Sequence, residues 1–562
     1  MPKPREFVSR IYIKVGGTEV PRTTMQKLAE VVVDQHTHLP DYFTIRLYDE
    51  EKELLDNGLF DLTKEVEIES ALENGTKVKL IKGEITSLEP IFKDGMNSEL
   101  LVRGYDKSHR MFRELKSKAY LNKKDSDLAS EIAGEAGLPA EVETTSTVYD
   151  HLYQHNQSDL SFLMQRAWRI GFECFVSEGK LYFRKPPTNG SSITLTWGDD
   201  LLSFTPRMAL AEQVDEVQVK GWDIDKQEAI IGRATSGSLY PEVEETKDGA
   251  TWAQTFGTGK TVIVNQPVVS QAEADALAAA RLDEISGAFL EAEGTAFRRP
   301  DIKAGQMAEI EALGDRFSGT YLVTNATHIL TSEGLKTYFS VRGTRTGLLN
   351  EKINGHKPEQ RWYGAVPAIV TNTDDPKDWG RVKVKFPWMA DDAESDWARV
   401  TGIGAGKEAG FYVMPEVGDE VLVLFAYGDF SQPHVIGSLW NGQNAIPSEA
   451  EGAASGEKPL VRTWHSQKGH RITIYDNADN KVEILTEAGH QITLDDADRK
   501  ISIESSGGLT LTMDDSSGKI TLESNNQIEV KATGNMKIEA GGNLDMEARG
   551  ILSIKGAMVN LN

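Results

Sequence analysis

The sequence predicts a mainly β, multidomain fold whose C-terminal part is a fibrous repeat. From Arg471 onwards, short strands recur in which two apolar residues flank a polar one. Five of these strands begin at positions 520, 528, 536, 544 and 552, a constant step of eight. A fixed step combined with strand-like alternation indicates a solenoid-like array. The rest of the chain alternates strand patterns with a few helical ones, which favours β structure throughout.

The repeat also predicts assembly of several copies. Each strand is too short to bury its apolar face by itself. Two inward-facing residues per strand give one chain too little core, so we expect several chains to wind together, each forming one wall of a closed prism. Such an object is long and stiff, which favours a mechanical role over a chemical one.

Composition narrows the functional classes. The 562 residues suffice for three or four domains, and 39% hydrophobic with 26% charged residues is typical of a soluble protein. The net charge of −25 argues against general nucleic-acid binding, which needs basic surface. The one cysteine, Cys174, excludes an intrachain disulfide. The start of the chain lacks a signal-peptide core, so we expect synthesis and assembly in the cytoplasm without a signal peptide.

Composition shifts divide the chain into seven segments. We predict a strand-rich segment at 1–100, an α+β segment at 101–205, a strand-rich segment at 206–349 with a helix at 271–288, a polar connector at 350–361, a small barrel of OB-fold type at 362–445, a linker at 446–469 and the repeat at 470–562. Two helices are predicted inside the second segment, one from Ser126 to Gly137 and one that Ser158 caps.

Motifs that would carry chemistry are absent or incomplete. His151 and His155 are four residues apart, like the two zinc ligands of a zinc-protease motif. That motif has a catalytic Glu directly after the first histidine, and this chain has Leu152 there. Ordinary histidines in a helix or loop are therefore favoured. His36 and His38 share one strand face, and packing is favoured there over a two-ligand metal site. We therefore predict no catalytic residue, no metal and no cofactor.

Several phrases resemble the VgrG family and the related central spikes of contractile phage tails and extracellular contractile injection systems. The most specific are DPKDWGRVKVKFPW at 375–388, SDWARV at 395–400, MPEVGDEVLVLFAYGD at 414–429 and PHVIGSLWNG at 434–443. The OB-fold motif residues are Gly380, Arg381, Val382, Pro387, Trp388, Trp397, Arg399, Pro415, Gly418, Asp419 and Gly437. Weaker matches include RGYDKSHRMFR at 103–113, NQSDLSFLMQRAWRIGF at 156–172 and GHRITIYD at 469–476.

The resemblance implies a homotrimer with a hub of β-barrels and inserted helices, an OB-fold collar, and a triple-stranded intertwined β-helix as the needle. Segments 1–100 and 206–349 would be two related hub barrels. The implied needle core is Ile492, Leu494, Ile501, Ile503, Leu509, Leu511, Ile520, Leu522, Ile528, Val530, Met536, Ile538, Leu544, Met546, Leu552 and Ile554. The implied docking residues for a PAAR-type tip protein are Gly556, Met558, Val559, Leu561 and Asn562.

The implied function is that of a structural spike. Its partners would be the inner tube protein ring, baseplate proteins, the tip protein and non-covalent effector cargo, with only transient contact with a target membrane. The spike would be part of an injection particle and reach the extracellular space or a target cell. Two rival functions stay open: a spike enzyme that degrades cell wall, for which the segment between Asn444 and Gly469 leaves little room, and a glycan-binding tail adhesin.

Overall fold

The computed structural model describes residues 10–190, 193–238, 241–243, 245, 247–345, 361–389, 394–452 and 459–561. The chain forms two compact units, Met1–Leu439 and Trp440–Asn562. The predicted connector at 350–361 lies outside the described residues except for Arg361. In the described part of the chain, no helix combines the length and the apolar character needed to cross a bilayer.

The first unit begins with a strongly alternating set of strands. Its elements are β1 (Ile11–Val15), β2 (Thr18–Glu19), α1 (Arg22–Met25), β3 (Leu28–His36), β4 (Tyr42–Tyr48), α2 (Glu53–Asp56), β5 (Glu65–Ala71), β6 (Lys77–Lys93) and β7 (Asn97–Asp106). In β4 the buried residues are Phe43, Ile45 and Leu47, one every second position. Because alternate side chains of a strand point to opposite faces, this pattern directs one face into the core.

An α+β segment follows. It contains β8 (Lys116–Lys124), α3 (Asp125–Glu135), β9 (Ala140–Val142), β10 (Val148–Gln157), α4 (Asp159–Arg169), β11 (Glu173–Ser177) and β12 (Lys180–Arg184). Ser158 caps α4 as predicted, since its hydroxyl accepts the backbone N–H of Ser161 at 3.3 Å. His151 and His155 lie on strand β10, so their prediction in a helix or loop was wrong.

A second strand-rich segment completes the hub, by which we mean residues 10–345. Its elements are β13 (Ile193–Thr196), β14 (Leu201–Met208), β15 (Glu216–Asp223), β16 (Glu228–Ala234), β17 (Glu242–Val243), α5 (Gly249–Ala253), β18 (Lys260–Ile263), α6 (Gln271–Gly287), β19 (Leu290–Phe297), β20 (Gln306–Glu311), β21 (Gly319–Val323), β22 (Asn325–Thr331) and β23 (Gly334–Val341). Helix α6 packs Leu277, Ala278 and Leu282 into a core with β15 and β16.

The two strand-rich segments of the hub share one sheet. Eleven strands run in the order β14-β19-β23-β22-β3-β4-β7-β6-β5-β1-β2. The junction is the antiparallel pair of β3 and β22, in register from His36 opposite Asn325 to Val31 opposite Leu330. Each half keeps its own apolar core, one around Phe43 and one around Tyr321. The segments predicted as two barrels are therefore continuous through their backbone hydrogen bonds.

The predicted small barrel follows the hub in the same unit. It contains β24 (Val366–Asn372), β25 (Arg381–Lys385), β26 (Ala398–Val400), β27 (Ile403–Gly406), β28 (Ala409–Phe411), β29 (Glu420–Phe425) and β30 (Pro433–Ser438). Five strands close in the order β24-β25-β26-β30-β29, whereas β27 and β28 pair with each other and with no other strand of the described residues. Valines such as Val382, Val384 and Val423 fill the barrel interior. This closed five-stranded barrel agrees with the OB-type fold class predicted from the sequence.

The second unit is an antiparallel meander. Its strands are β31 (Val461–His465), β32 (Arg471–Tyr475), β33 (Lys481–Leu485), β34 (Gln491–Asp495), β35 (Lys500–Glu504), β36 (Thr510–Asp514) and β37 (Lys519–Glu523). Each pairs with the next in sequence order. Strand β31 lies within the segment 446–469 that was predicted to be a linker. It pairs with β32, with Thr463 opposite Thr473 and Trp464 opposite Ile472. The sheet therefore begins earlier than the sequence pattern indicated.

Candidate functional site

The C-terminal sheet has one apolar face and one polar face. Each five-residue strand places its second and fourth residues on the same side. In β32 these residues are Ile472 and Ile474, and in β34 they are Ile492 and Leu494. The third residue of each strand points to the other side and is Thr, Ser or Glu in β32–β36. The pattern of two apolar residues around a polar one therefore becomes a two-sided sheet.

The strand register aligns the apolar residues in two columns. One column runs through Ile472, Ile484, Ile492, Ile503, Leu511 and Leu522. The other runs through Ile474, Val482, Leu494, Ile501, Met513 and Ile520. Directly opposed side chains lie about 5 Å apart at Cβ and pack against each other. We call this pair of columns the apolar face.

Hydrogen bonds and ion pairs organise the opposite face. The hydroxyls of Thr463 and Thr473 lie 2.9 Å apart, and Thr473 is fully buried. The amide of Gln491 donates to Glu483 at 2.9 Å and to the hydroxyl of Thr493 at 2.8 Å. The buried side chains of Thr473, Glu483 and Thr493 are thus hydrogen-bonded within the sheet.

The apolar face is uncovered in a single chain. Ile472, Ile492 and Leu494 remain 40%, 38% and 44% exposed, and the exposure rises to 71% at Ile520. A groove of about 410 Å³ runs along this face past Ile492, Ile503 and Leu511. A continuous apolar surface of this kind marks an interaction site.

The last part of the chain has no sheet of its own. Over residues 524–561, all of which the structure describes, there is neither strand nor helix, and every residue from Asn525 onwards is exposed. The backbone nevertheless bends at 525–526, 533–534, 541–542, 549–550 and 557, in steps of eight. The strands predicted in this segment are thus not formed within one chain, since an extended segment needs a partner strand for its backbone hydrogen bonds.

The spacing of the strands changes at the same place. Strands β31–β37 start at 461, 471, 481, 491, 500, 510 and 519, a step of nine or ten. This step provides five residues for the strand and four or five for a reversing turn. After Glu523 the bends recur every eight residues and no further hairpin is formed among the described residues.

The predicted core residues fall in three groups. Ile492, Leu494, Ile501, Ile503, Leu511, Ile520 and Leu522 lie on the apolar face. Ile528, Val530, Met536, Ile538, Leu544, Met546, Leu552 and Ile554 lie in the exposed segment with eight-residue steps, each at least half exposed. Leu509 precedes β36, where its N–H donates to the hydroxyl of Ser505, and its side chain lines the groove of the apolar face.

Sequence reasoning also missed members of the apolar face. Met513 joins the face in β36, and the repeat residues Ile472, Ile474, Val482 and Ile484, which the predicted core did not include, extend it towards the N-terminus. The ten-residue step from Ile501 to Leu511 was the available signal for the correct register. Of the predicted docking residues for a tip protein, Gly556, Met558, Val559 and Leu561 are exposed, and Asn562 lies outside the described residues.

The barrel motif forms a compact loop around one carboxylate. Asp375 accepts the backbone N–H groups of Lys377, Trp379 and Arg381 at 3.0–3.2 Å. It also binds the Arg381 guanidinium at 3.0 Å and 2.5 Å. Hydrogen bonding to Arg381 and these N–H groups holds the pKa of Asp375 well below its usual range. Gly380 completes the loop with a φ of +68°, which favours glycine.

The other motif residues support the barrel wall. Trp388 donates its ring N–H to the carbonyl of Pro367 at 2.9 Å. Val382 is fully buried, and the N–H of Gly418 donates to the carbonyl of Val370 at 2.9 Å. Remaining members of the predicted motif are the exposed Pro387, Arg399 and Gly437, the buried Pro415, and the half-buried Trp397 and Asp419.

The histidines and the cysteine have structural surroundings. His36 lies 3.1 Å from Asp34 at the junction of β3 and β22. Cys174 is buried, and burial raises the pKa of its thiol. No cluster of three or more His, Cys, Asp or Glu side chains suited to a metal ion occurs among the residues that the structure describes.

Comparisons with known families match both parts of the first unit. The model described as the Alg8 N-terminal domain matches residues 6–332, which is more than half of the chain. The model described as the type VI secretion system/phage-baseplate injector OB domain matches residues 366–440. The second match coincides with the closed barrel and the motif around Asp375.

Individual proteins are also similar to this chain, either in sequence or in fold. The type VI secretion system spike protein VgrG5 of Pseudomonas aeruginosa is 42% identical over 100 residues, which are 16% of this chain and 13% of that relative. The Escherichia coli c3393 protein, a component of the type VI secretion system, is similar in fold with a TM-score of 0.50 and 13% identity, over 76% of this chain and 99% of that one. In the Francisella PdpA–VgrG complex, one chain matches 92% of this chain and 80% of its own length, with a TM-score of 0.51 and 9% identity.

The two family models match the hub and the barrel, and the fold comparison with the Francisella complex extends over 92% of the chain. The sequence match to VgrG5, by contrast, spans only a small part of the length of that relative. The chain therefore belongs to the family of the Alg8 N-terminal domain, contains an injector OB domain, and is similar to VgrG spike proteins in part of its sequence and in its fold.

Proposed function

We propose that this chain is the structural spike of a contractile injection machine and works as a homotrimer. The observation that carries the proposal is the apolar face of the C-terminal sheet, which runs without interruption across β32–β37. Backbone hydrogen bonds already join these strands within the chain, so the partner copies are needed to cover the apolar face and not to pair strand edges.

Three such sheets placed around one axis would bury their apolar faces against each other. Completing the burial of a half-exposed Ile or Leu contributes about 1 kcal/mol. With six residues in each column and three copies, the sum exceeds the ~4–15 kcal/mol that association costs in lost freedom. A closed threefold arrangement also keeps the polar faces outside, where their charges meet water.

The segment 524–561 would continue the shaft by a different kind of strand pairing. Its backbone bends every eight residues and has no partner strand in its own chain. Three copies winding around each other would supply strand partners and enclose Ile528, Val530 and their successors. The two parts of the shaft thus correspond to the two spacings in the sequence.

The remaining roles follow from this architecture. The hub would dock the inner tube ring and the baseplate, and the residues from Gly556 to the end would hold a PAAR-type tip protein. Force from the machine would pass along the shaft, which pierces the target envelope. Effectors would be carried non-covalently, an idea that the complex of a related VgrG with PdpA supports. The assembled spike would leave the cell within the particle.

Native mass measurement on the full chain tests this proposal. A chain of 62.0 kDa should appear at three times that mass. The Ile503→Asp variant should lose the trimer, because it buries an unpaired charge in the shaft. Ser502→Asp is the matched control, because Ser502 is the neighbour of Ile503 in β35 but its side chain lies on the opposite, polar face. The Ser502→Asp variant should remain trimeric. A stable monomer of the unchanged protein would contradict the proposal, and lysis in a peptidoglycan zymogram would favour the enzymatic rival.

A further inference from the structure

A cleft of about 430 Å³ separates the hub from the barrel. Strand β10 and one face of α4 form its hub wall, and β26 with the loop before β30 forms its barrel wall. Asp150 lines it on the hub side and Arg399 on the barrel side, so both signs of charge are present.

The edge of β10 borders this cleft. All residues from Thr147 to Tyr153 line it without a gap. A cavity against one face of a strand contacts only alternate residues, because successive side chains point to opposite sides. An uninterrupted run therefore places the strand's edge at the cavity. Strand β10 pairs only with β8 in the described part of the sheet, and its other edge is the one available for a partner strand.

A buried polar atom beside this edge supports the same conclusion. His151 is 6% exposed, and its Nε2 lies 3.3 Å from the carbonyl oxygen of Glu394. Its Nδ1 has no hydrogen-bond partner among the residues that the structure describes. Buried polar groups are normally satisfied, so this atom indicates that the cleft region is incomplete in one chain.

The same barrel carries a hairpin that is fully exposed among the residues that the structure describes. We call residues 402–412, which include β27 and β28, the arm. Every residue of the arm is exposed, including Ile403 at 81% and Tyr412 at 79%. An isolated two-stranded hairpin is at best marginally stable in water. The apolar side chains of the arm therefore lack cover from the part of the chain that the structure describes.

The arm and the cleft fit each other in position and shape. The arm leaves the barrel directly after β26, whose Arg399 lines the cleft, yet its full exposure shows that it does not fill the cleft of its own chain. Between Ile403 and Phe411 the arm consists mostly of Gly and Ala, so it is thin enough for one strand to enter a narrow space. Its tip, Lys407 and Glu408, carries both signs of charge, as the cleft does.

We propose that the arm of one copy occupies the hub–barrel cleft of the next copy and adds a strand to the open edge of β10. Main-chain hydrogen bonds would provide the affinity, and the side chains of Ile403 and Phe411 would gain cover. The contact is heterologous, with a different surface on each copy, and such contacts close into a ring when the rotation permits. The inference rests on the homotrimer proposed above and adds a second interface to it, outside the shaft.

Photo-crosslinking of the full-length protein tests this contact. Benzoylphenylalanine replaces Val148, which is 51% exposed and lines the cleft. We expect adducts at two and three times the chain mass, with the crosslink mapped to residues 402–412. The matched control replaces Leu62, equally 51% exposed and outside the cleft, and should not give this adduct. Should the Val148 variant fail to fold, Trp222, 54% exposed and also in the cleft, takes the probe with the same expected adduct.

Three outcomes would overturn the inference. In mixed trimers of isotope-labelled and unlabelled chains, adducts that never join the two labels would show that the arm binds its own chain. Adducts outside 402–412 in a protein of trimeric mass would reject the arm contact alone. A monomeric mass before illumination would reject the homotrimer as well, so the two failures are distinguishable.

Discussion

The carboxylate of Asp375 and the guanidinium of Arg381 form a two-pronged ion pair in the barrel wall, with N–O distances of 3.0 Å and 2.5 Å. Their side chains are only 4% and 11% exposed. The same carboxylate accepts three backbone N–H groups and fixes the loop that leads into β25. The most specific phrase of the barrel sequence is therefore explained by one buried charge and the donors around it.

Loss of Arg381 should destabilise the barrel strongly. In Arg381→Met the Asp375 carboxylate stays buried without its cation, which costs on the order of 3 kcal/mol. Calorimetry should show a lower melting temperature for the first unit. Lys377→Met is the control, because the ion pair of Lys377 with Asp225 is about half exposed and worth less than about 1 kcal/mol. Equal shifts for the two variants would contradict the structural role of Asp375.

His328 should make the hub sensitive to acid. Burial, with a smaller contribution from Lys303, lowers the pKa of His328 to about 4, and its Nδ1 lies 2.9 Å from the hydroxyl of Thr337. The unfolded chain takes up a proton near pH 6.5 and the folded one does not, so the stabilising contribution is complete above pH 6.5. It falls by roughly 3 kcal/mol as the pH drops from 6.5 to about 4 and is absent below.

The melting temperature of the hub, followed between pH 7 and pH 4, measures this effect. His328→Gln should flatten the decline, because the residue that protonates only on unfolding is gone. The exposed His470 serves as the control, and His470→Gln should leave the slope as it is. An unchanged slope in His328→Gln would assign the acid sensitivity to other groups.

The eight-residue step predicts which deletions the shaft tolerates. Removing residues 528–535 deletes one full step and keeps every later apolar residue in register, so the trimer should melt within a few degrees of the unchanged protein. Removing residues 528–534 shifts the register by one residue and turns the apolar side chains outwards. This variant should melt well below the first one. Equal melting temperatures would show that the segment is not a regular shaft.

Two glycines of the hub should respond oppositely to the same substitution. A Cβ on Gly104 would collide with the carbonyl oxygen of Glu84 and lie 2.6 Å from the ring of Phe43, so Gly104→Ala should cost about 1–3 kcal/mol. A Cβ on Gly134, in helix α3, meets open space, and Gly134→Ala should add about 0.5–1 kcal/mol of stability. Urea unfolding followed by tryptophan fluorescence compares them.

Much of the candidate site follows from local pattern. The alternation of apolar and polar residues around Ile492 and Ile501 indicates β-strands and shows which side chains share one face, because side chains in a strand repeat with a period of two. The pattern leaves the register of β36 open, because Leu509, Leu511 and Met513 follow each other at the same spacing. Only the backbone pairing of β35 with β36 decides between the two registers.

The sequence by itself determined the β class, the barrel and the change from nine- or ten-residue to eight-residue steps, since these depend on local periodicity and on turn residues. Tertiary structure alone decided that β3 pairs with β22 and that the edge of β10 faces a cleft. These features join residues far apart in the chain. Their energy depends on which surfaces meet, and periodicity carries no information about that choice.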